Sequence, residues 1–190
     1  ECSGHPLYED VCRLSEQVGR LRADSSVLTF GKERLVHGDP KISNIVFDET
    51  SGRGVCFIDL DTLSFMPLVW ELGDAFRSWC NPAGEDHPKA VFDIDLFRNA
   101  LEAYADGARD FIEDDEIRMI VPAILEVHLE LAIRFLTDAL EETYFSWESE
   151  RYSTQGEHNL ARARGQLAAG ASFARQLKLA ERLIFQTFNG

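Results

Sequence analysis

The sequence predicts an α+β chain that is mainly helical, with one small β element near its start. Three observations carry this. Apolar residues recur at helical spacing over residues 7–22. The period then changes to short β-branched and aromatic runs over residues 34–60. From about Val69 onward the pattern is helical again.

In the first helix Leu7, Val11, Leu14, Val18 and Leu21 are separated by 4, 3, 4 and 3 residues, which makes one buried stripe. The runs RLVH, NIVFD and GVCFIDL follow, and DETSGRG between the last two is turn chemistry. Residues 44–48 and 55–59 therefore predict a hairpin. Residues 70–80 predict a helix ended by Asn81-Pro82. Residues 93–110 predict another, with Asp93 as its N-cap. Residues 114–145 predict a long helix interrupted or entered at Pro122. Its segment 121–140 is apolar almost all round, as a central buried helix would be. Residues 158–188 close the chain, with Leu160, Leu167, Phe173, Leu177, Ile184 and Phe188 on or near one face. His128, Phe92, Phe97 and Phe111 read as core, and the acidic run Glu113–Glu116 as a solvated helix start. A chain of 190 residues fits one domain, 1–190, burying roughly 70% of its unfolded surface.

Composition narrows the function classes. The chain carries 19 Lys+Arg against 33 Asp+Glu, a formal net charge of −14. Dispersed cations in that number assemble no basic patch for nucleic acid or an anionic membrane. A nucleotide remains admissible, since a few local groups and Mg²⁺ hold a phosphate. The cysteines Cys2, Cys12, Cys56 and Cys80 form no Cys-x-x-Cys pair and read as scattered reduced thiols. His5, His87 and His158 lack metal-ligand companions. No apolar run reaches the roughly 20 residues of a membrane helix. The expectation is a cytoplasmic protein.

The chemistry concentrates at His37-Gly38-Asp39-Pro40-Lys41-Ile42-Ser43-Asn44 and Phe57-Ile58-Asp59-Leu60-Asp61-Thr62. A symmetric hairpin centred between Ser51 and Gly52 sets Asn44 opposite Asp59. Paired strands lie about 4.8 Å apart, so an amide oxygen and a carboxylate there can share one hard cation such as Mg²⁺. On the loop entering the hairpin, the Asp39 carboxylate can accept a proton from an attacking hydroxyl. The Lys41 ammonium can sit against a transferring phosphoryl group. A base, a cation and a metal held by Asn and Asp are the parts phosphoryl transfer needs.

The pattern H-x-D-x-K-x-x-N, followed fifteen residues later by Asp after an apolar strand, resembles the catalytic and metal loops of the kinase-like fold. The chain resembles the aminoglycoside phosphotransferase and choline kinase group. Residues 36–77 (VHGDPKISNIVFDETSGRGVCFIDLDTLSFMPLVWELGDAFR) look like the N-acetylhexosamine 1-kinase branch. Residues 131–138 (LAIRFLTD), Tyr144-Phe145 and residues 158–164 (HNLARAR) are similar to that branch too.

The resemblance implies that Asp39 is the catalytic base, that Lys41 steadies the phosphoryl group and that Asn44 and Asp59 hold Mg²⁺. Asp61 is then a supporting or second-metal carboxylate, or else an outward-facing strand residue. His37 packs and hydrogen-bonds beneath the loop, and Asp74 braces the loop from the following helix. Arg134 and Tyr144 match sugar-binding positions. For Arg134 the rival is a salt bridge to Glu130 or Asp138; burial in the apolar helix would call for a partner, such as a sugar beside Asp138. For Tyr144 the rival is core packing.

No glycine-rich nucleotide loop and no strand-borne Lys followed by a Glu-bearing helix precedes His37. The expectation is the C-terminal, large lobe of a two-lobed kinase whose N-terminal lobe is a missing partner. The lobe alone would bind ATP poorly and turn over little, since positioning is most of the catalysis. The implied substrate is a small-molecule sugar, with an aminoglycoside or amino-alcohol as the alternative. A non-catalytic binding module is the alternative from another class.

Overall fold

The computed structural model describes residues 4–23, 31–84 and 87–190. In order they form α1 (Tyr8–Ala23), β1 (Glu33–Val36), β2 (Ile45–Phe47), β3 (Gly54–Phe57), β4 (Ser64–Pro67), α2 (Leu68–Trp79), α3 (Ile94–Ala108), α4 (Asp114–Glu141), α5 (Gln155–Ala174) and α6 (Leu177–Asn189). The chain is mainly helical with a small β part, as the periodicity predicts. No helix among the described residues is long and apolar enough to cross a membrane. Cys12 and Cys56 are exposed free thiols and Cys80 is a buried one, whereas Cys2 lies outside the described residues. Burial, with Asp93 adding to it, pushes the Cys80 thiol up to about 12, so it stays protonated and inert.

Two compact units divide the chain. One comprises Ser26–Cys80, Asp93–Val127 and Gln176–Gly190. Its β residues form two separate two-stranded antiparallel sheets, β1 with β4 and β2 with β3. β4 was not expected; it pairs Val36 with Ser64 and Leu35 with Phe65. Pro67 stands at its end, where a missing N–H costs no ladder bond.

The predicted hairpin forms, but one register off. Ile45 faces Phe57 and Val46 faces Cys56, and a bulge follows before Phe47 meets Gly54. The Ile58 amide then donates to the Asn44 carbonyl at 3.0 Å, so Asn44 stands opposite Ile58 and not opposite Asp59. The asymmetry lies in the turn. Asp48 accepts from the Ser51 amide and hydroxyl (2.8 and 2.7 Å), and its own backbone closes onto Gly52 and Arg53. The bulge absorbs the odd residue.

The helices of this unit form its core. Phe76 on α2 is fully buried, edge-on to Trp79, Phe97 and Tyr104 at 6.0, 5.1 and 6.3 Å. Gly73 lets α2 approach α4 closely: a Cβ there would lie 2.9 Å from the Ala123 backbone. Asp93 caps α3 as predicted, accepting from the Asp95 and Leu96 amides.

Glu113, Asp114 and Asp115 are exposed around the start of α4 as expected, but Glu116 and Phe111 depart from expectation. Glu116 is not solvated but 1% exposed, because Arg34 on β1 donates Nε and Nη2 to its two carboxylate oxygens at 2.7 and 2.8 Å. Phe111 is 47% exposed rather than core, and the Arg34 guanidinium lies over its ring at 5.6 Å. A bidentate Arg–carboxylate pair compensates the burial of the charge.

The other unit comprises Glu1–Ser25, Asn81–Phe92 and His128–Arg175. Val11, Leu14 and Val18 are the buried stripe of α1, which packs on α5, and Asp10 pairs with Arg164 at 3.2 Å. Phe92 meets Phe173 at 4.5 Å, and His128, 1% exposed, contacts the Gln166 side chain at 3.0 Å. Both Phe92 and His128 are core, as expected.

Helix boundaries differ at two places. α4 runs through Pro122 and stops at Glu141 rather than residue 145. Glu142 is left-handed (φ 50), and Asp138 captures the amides beyond it. The segment expected as one helix over 158–188 starts earlier and breaks at Arg175-Gln176 into α5 and α6. No glycine or proline marks that break, which leaves periodicity nothing to detect.

Candidate active site

The loop from His37 to Asn44 is held from beneath by α2. The Glu71 carboxylate accepts from the His37 amide (Oε1, 3.0 Å) and the Gly38 amide (Oε2, 2.9 Å). Ser78 Oγ accepts from the Ile42 amide at 3.1 Å, and Trp79 Nε1 donates to the Pro40 carbonyl at 2.8 Å. Ser78 and Trp79 follow Glu71 by seven and eight residues, about two helical turns, so all three reach toward the loop side of α2. The resemblance gives a bracing role to Asp74, which pairs with Arg77 at 2.7 Å; Glu71 on the same helix holds the loop amides. The one carboxylate inside the apolar run Leu68–Leu72 at the start of α2 is the signal that would have found Glu71.

His37 is buried, with its ring 5.3 Å from that of Phe57. The Asp39 amide can only donate, so Nδ1 accepts from it (3.3 Å) and Nε2 carries the proton to the Ile58 carbonyl (2.9 Å). The ring therefore ties the loop to the strand that leads to Asp59.

Asp39, Lys41 and Asn44 converge. Lys41 Nζ reaches Asp39 Oδ2 at 2.5 Å, and the buried Asn44 amide donates Nδ2 to the same oxygen at 3.0 Å and to the Asp39 carbonyl at 2.9 Å. Both partners take Oδ2, which leaves Oδ1 for an incoming hydroxyl. Both donations come from Nδ2, which leaves the Asn44 amide oxygen for a cation.

Asp59 sits where β3 ends, in the left-handed region (φ 66, ψ 52), and opens the turn Leu60–Thr62. A non-glycine residue there costs about 1–2 kcal/mol, although Asp tolerates it better than most. Strain of this kind collects at functional positions. Asp59 and Asp61 are both exposed, and Asp61 lies in the turn rather than on a strand. Thr62 closes the turn onto the loop, its hydroxyl donating to the His37 carbonyl at 2.8 Å.

An Mg²⁺ site is compatible with these donors. Among the described residues no three His, Cys, Asp or Glu side chains converge on a point. Mg²⁺ needs no such cage, because one or two protein oxygens suffice when phosphate and water complete its shell. The Asn44 amide oxygen and the Asp59 carboxylate are hard ligands of that kind.

Arg134 and Tyr144 lie together in the other unit. Arg134 is not buried as the apolar helix suggests: its side chain is 44% exposed, with Glu130 at 3.7 Å. Its guanidinium lies 5.5 Å from the centres of both the Tyr144 and Phe145 rings, and Nη2 is 3.3 Å from the Tyr144 hydroxyl. Tyr144 is 71% exposed, which removes core packing as its role.

Asp138, 3% exposed, faces neither Arg134 nor an open space for a sugar. It accepts from the amides of Thr143, Tyr144 and Phe145 (2.9, 2.8 and 2.9 Å), from Gln155 (3.1 Å) and from Asn159 (2.8 Å). Burial alone would raise its pKa; hydrogen bonds from Phe145, Thr143, Gln155 and Tyr144 outweigh that and hold it at about 2, against an ordinary 3.8. The folded-state pKa is depressed, so its stabilisation is complete above about pH 4 and is lost as pH falls through about 2. Urea denaturation should show the wild type losing about 2 kcal/mol more than Asp138→Asn between pH 5 and pH 2. Parallel pH profiles for the two chains would refute this.

A model of the phosphotransferase enzyme family matches residues 12–118. The chain belongs to that family. The match runs from α1 through the His37–Asn44 loop, the Asp59–Thr62 turn and α2 into the start of α4. It ends before Arg134 and Tyr144, which lie outside the matched residues of this phosphotransferase.

Proposed function

We propose that the complete protein is a kinase that transfers the γ-phosphate of ATP to a hydroxyl of a small sugar, an N-acetylhexosamine being the favoured acceptor. In this reading the chain is the large lobe of a kinase-like fold from the N-acetylhexosamine 1-kinase branch, acting in the cytoplasm. The carrying observation is the convergence of Asp39, Lys41 and Asn44 on one carboxylate oxygen in a member of the phosphotransferase family.

Asp39 Oδ1 orients the acceptor hydroxyl and takes its proton. The acceptor oxygen forms a bond to the γ-phosphorus as the bond to the bridging oxygen breaks, and ADP leaves with that electron pair. Lys41 moves from Asp39 toward the transferring group and neutralises developing charge there. Asn44 and Asp59, with Asp61 nearby, would hold Mg²⁺, which supplies further charge neutralisation on the phosphates. His37 supports the loop from within and Glu71 from α2, where Asp74 pairs with Arg77 on the same helix. Arg134 and Tyr144 would bind the sugar, the ring offering an apolar face and the guanidinium polar donors.

The net charge of −14 suits a cationic aminoglycoside or amino-alcohol, but the half-exposed Arg134 cation beside Tyr144 favours a neutral acceptor. The intact Asp39, Lys41, Asn44 and Asp59 argue against a non-catalytic binding module. A panel of N-acetylglucosamine, N-acetylgalactosamine, choline and an aminoglycoside, with ATP and Mg²⁺ and the intact protein, decides. Phosphorylation of a hexosamine is expected; turnover confined to the amines moves the assignment to them, and none at all removes it.

A further inference from the structure

We propose that Asp138 is the positioning residue of an acceptor-binding loop, residues 142–146, which it holds by three consecutive backbone amides so that Tyr144 and Arg134 are presented ready-formed. The inference rests on the acceptor role proposed for those two residues.

The loop is held far more firmly than its packing requires. A carboxylate accepting three successive N–H groups and two side-chain amides has its lone pairs filled. Burying that charge is costly unless its partners are retained. The adjoining residue, Glu142, adopts a left-handed backbone and turns its own carboxylate to the Gly156 amide at 2.6 Å. Arg162 fixes the far end of the loop, donating to the Ser146 carbonyl at 2.7 Å.

A loop built for the core would bury its side chains. Here Phe145 packs on Phe135 at 4.6 Å, but Tyr144 between the anchors remains 71% exposed. Gln155 and Asn159, one turn apart on α5, reach the carboxylate from another helix, so the loop is fixed from outside its own segment as well. A rigid, solvent-facing ring beside a half-exposed guanidinium is a preformed surface for a polar ligand with an apolar face. Holding it in place before binding lowers the cost of ordering it afterwards.

Asp138→Asn sets an NH₂ group against N–H donors whichever way the amide turns, and so should release the loop. Amide exchange in the wild-type chain is expected to show Thr143, Tyr144 and Phe145 protected like helical amides. In Asp138→Asn those three should exchange faster while α1 and α5 keep their protection. Titration of the intact protein with N-acetylglucosamine should show the dissociation constant rising about tenfold or more in this variant, as in Tyr144→Ala and Arg134→Ala, with ATP affinity unchanged. A merely structural role would move both affinities or neither.

If the wild type binds the sugar and Asp138→Asn binds it equally well, or if the wild-type loop amides exchange freely, the positioning role is overturned alone. If Tyr144→Ala and Arg134→Ala bind normally, or the wild type does not bind, the acceptor reading falls and the positioning role with it. Should Asp138→Asn not fold, Asp138→Glu, which keeps the charge and displaces it by one methylene, is read by the same criteria.

Discussion

Gly38→Ala is expected to lose between about 2 and 5 kcal/mol of stability and nearly all phosphoryl transfer. Gly38 has φ 84, where a Cβ is unfavourable in itself, and that Cβ would lie 2.4 Å from the Thr62 carbonyl oxygen. The obstacle is backbone, so no side chain can rotate away. Either the turn carrying Asp59 retreats or the loop carrying Asp39 does, and Glu71 holds the loop by the amides of His37 and Gly38. Gly52 supplies the control. It is also left-handed (φ 67), but nothing lies within 4 Å of its Cβ position. Gly52→Ala should cost only about 1 kcal/mol, the backbone part alone. Thermal or urea denaturation of both variants isolates the contact with Thr62; equal losses would show that the contact carries no weight.

Asp39→Asn is expected to lower the rate of ATP-dependent phosphorylation roughly 10²- to 10⁴-fold in the intact protein, with little change in fold. The Asn side chain can present its oxygen to Lys41 and Asn44, where Oδ2 stands now, and so preserve the loop's internal bonds. Its NH₂ then occupies the place of Oδ1 and cannot accept a proton. The dissociation constant for the sugar should change far less than the rate, since the group acts on a proton and not on affinity. Undiminished turnover would remove Asp39 as the base.

Much of this was legible in the sequence, for identifiable reasons. Local periodicity is strong in α1 and α3, and both begin within a residue or two of where the apolar spacing and the Asp93 cap place them. The convergence of Asp39, Lys41 and Asn44 is a local event, since the three lie within six consecutive residues. What the sequence hid was tertiary. Glu71, Ser78 and Trp79 reach the loop across thirty or more residues. The Arg34–Glu116 pair spans 82 positions and buries the last residue of an acidic run whose other three members are exposed as read. The hairpin register depended on one bulge, invisible to a count that assumes symmetry. Arg134 misled because periodicity reports how apolar the neighbours are, not how far a long side chain extends beyond them.

Thr62 touches both halves of the catalytic unit, its hydroxyl on the His37 carbonyl and its own carbonyl against Gly38. The loop with Asp39 and the turn with Asp59 are thus one mechanical part. Reciprocity follows: a cation that favours one placement of the turn favours the matching placement of the base by the same free energy, and an acceptor seated at Asp39 strengthens the hold on the cation in equal measure. In the proposed reading, Thr62 would therefore couple readiness for metal to readiness for acceptor.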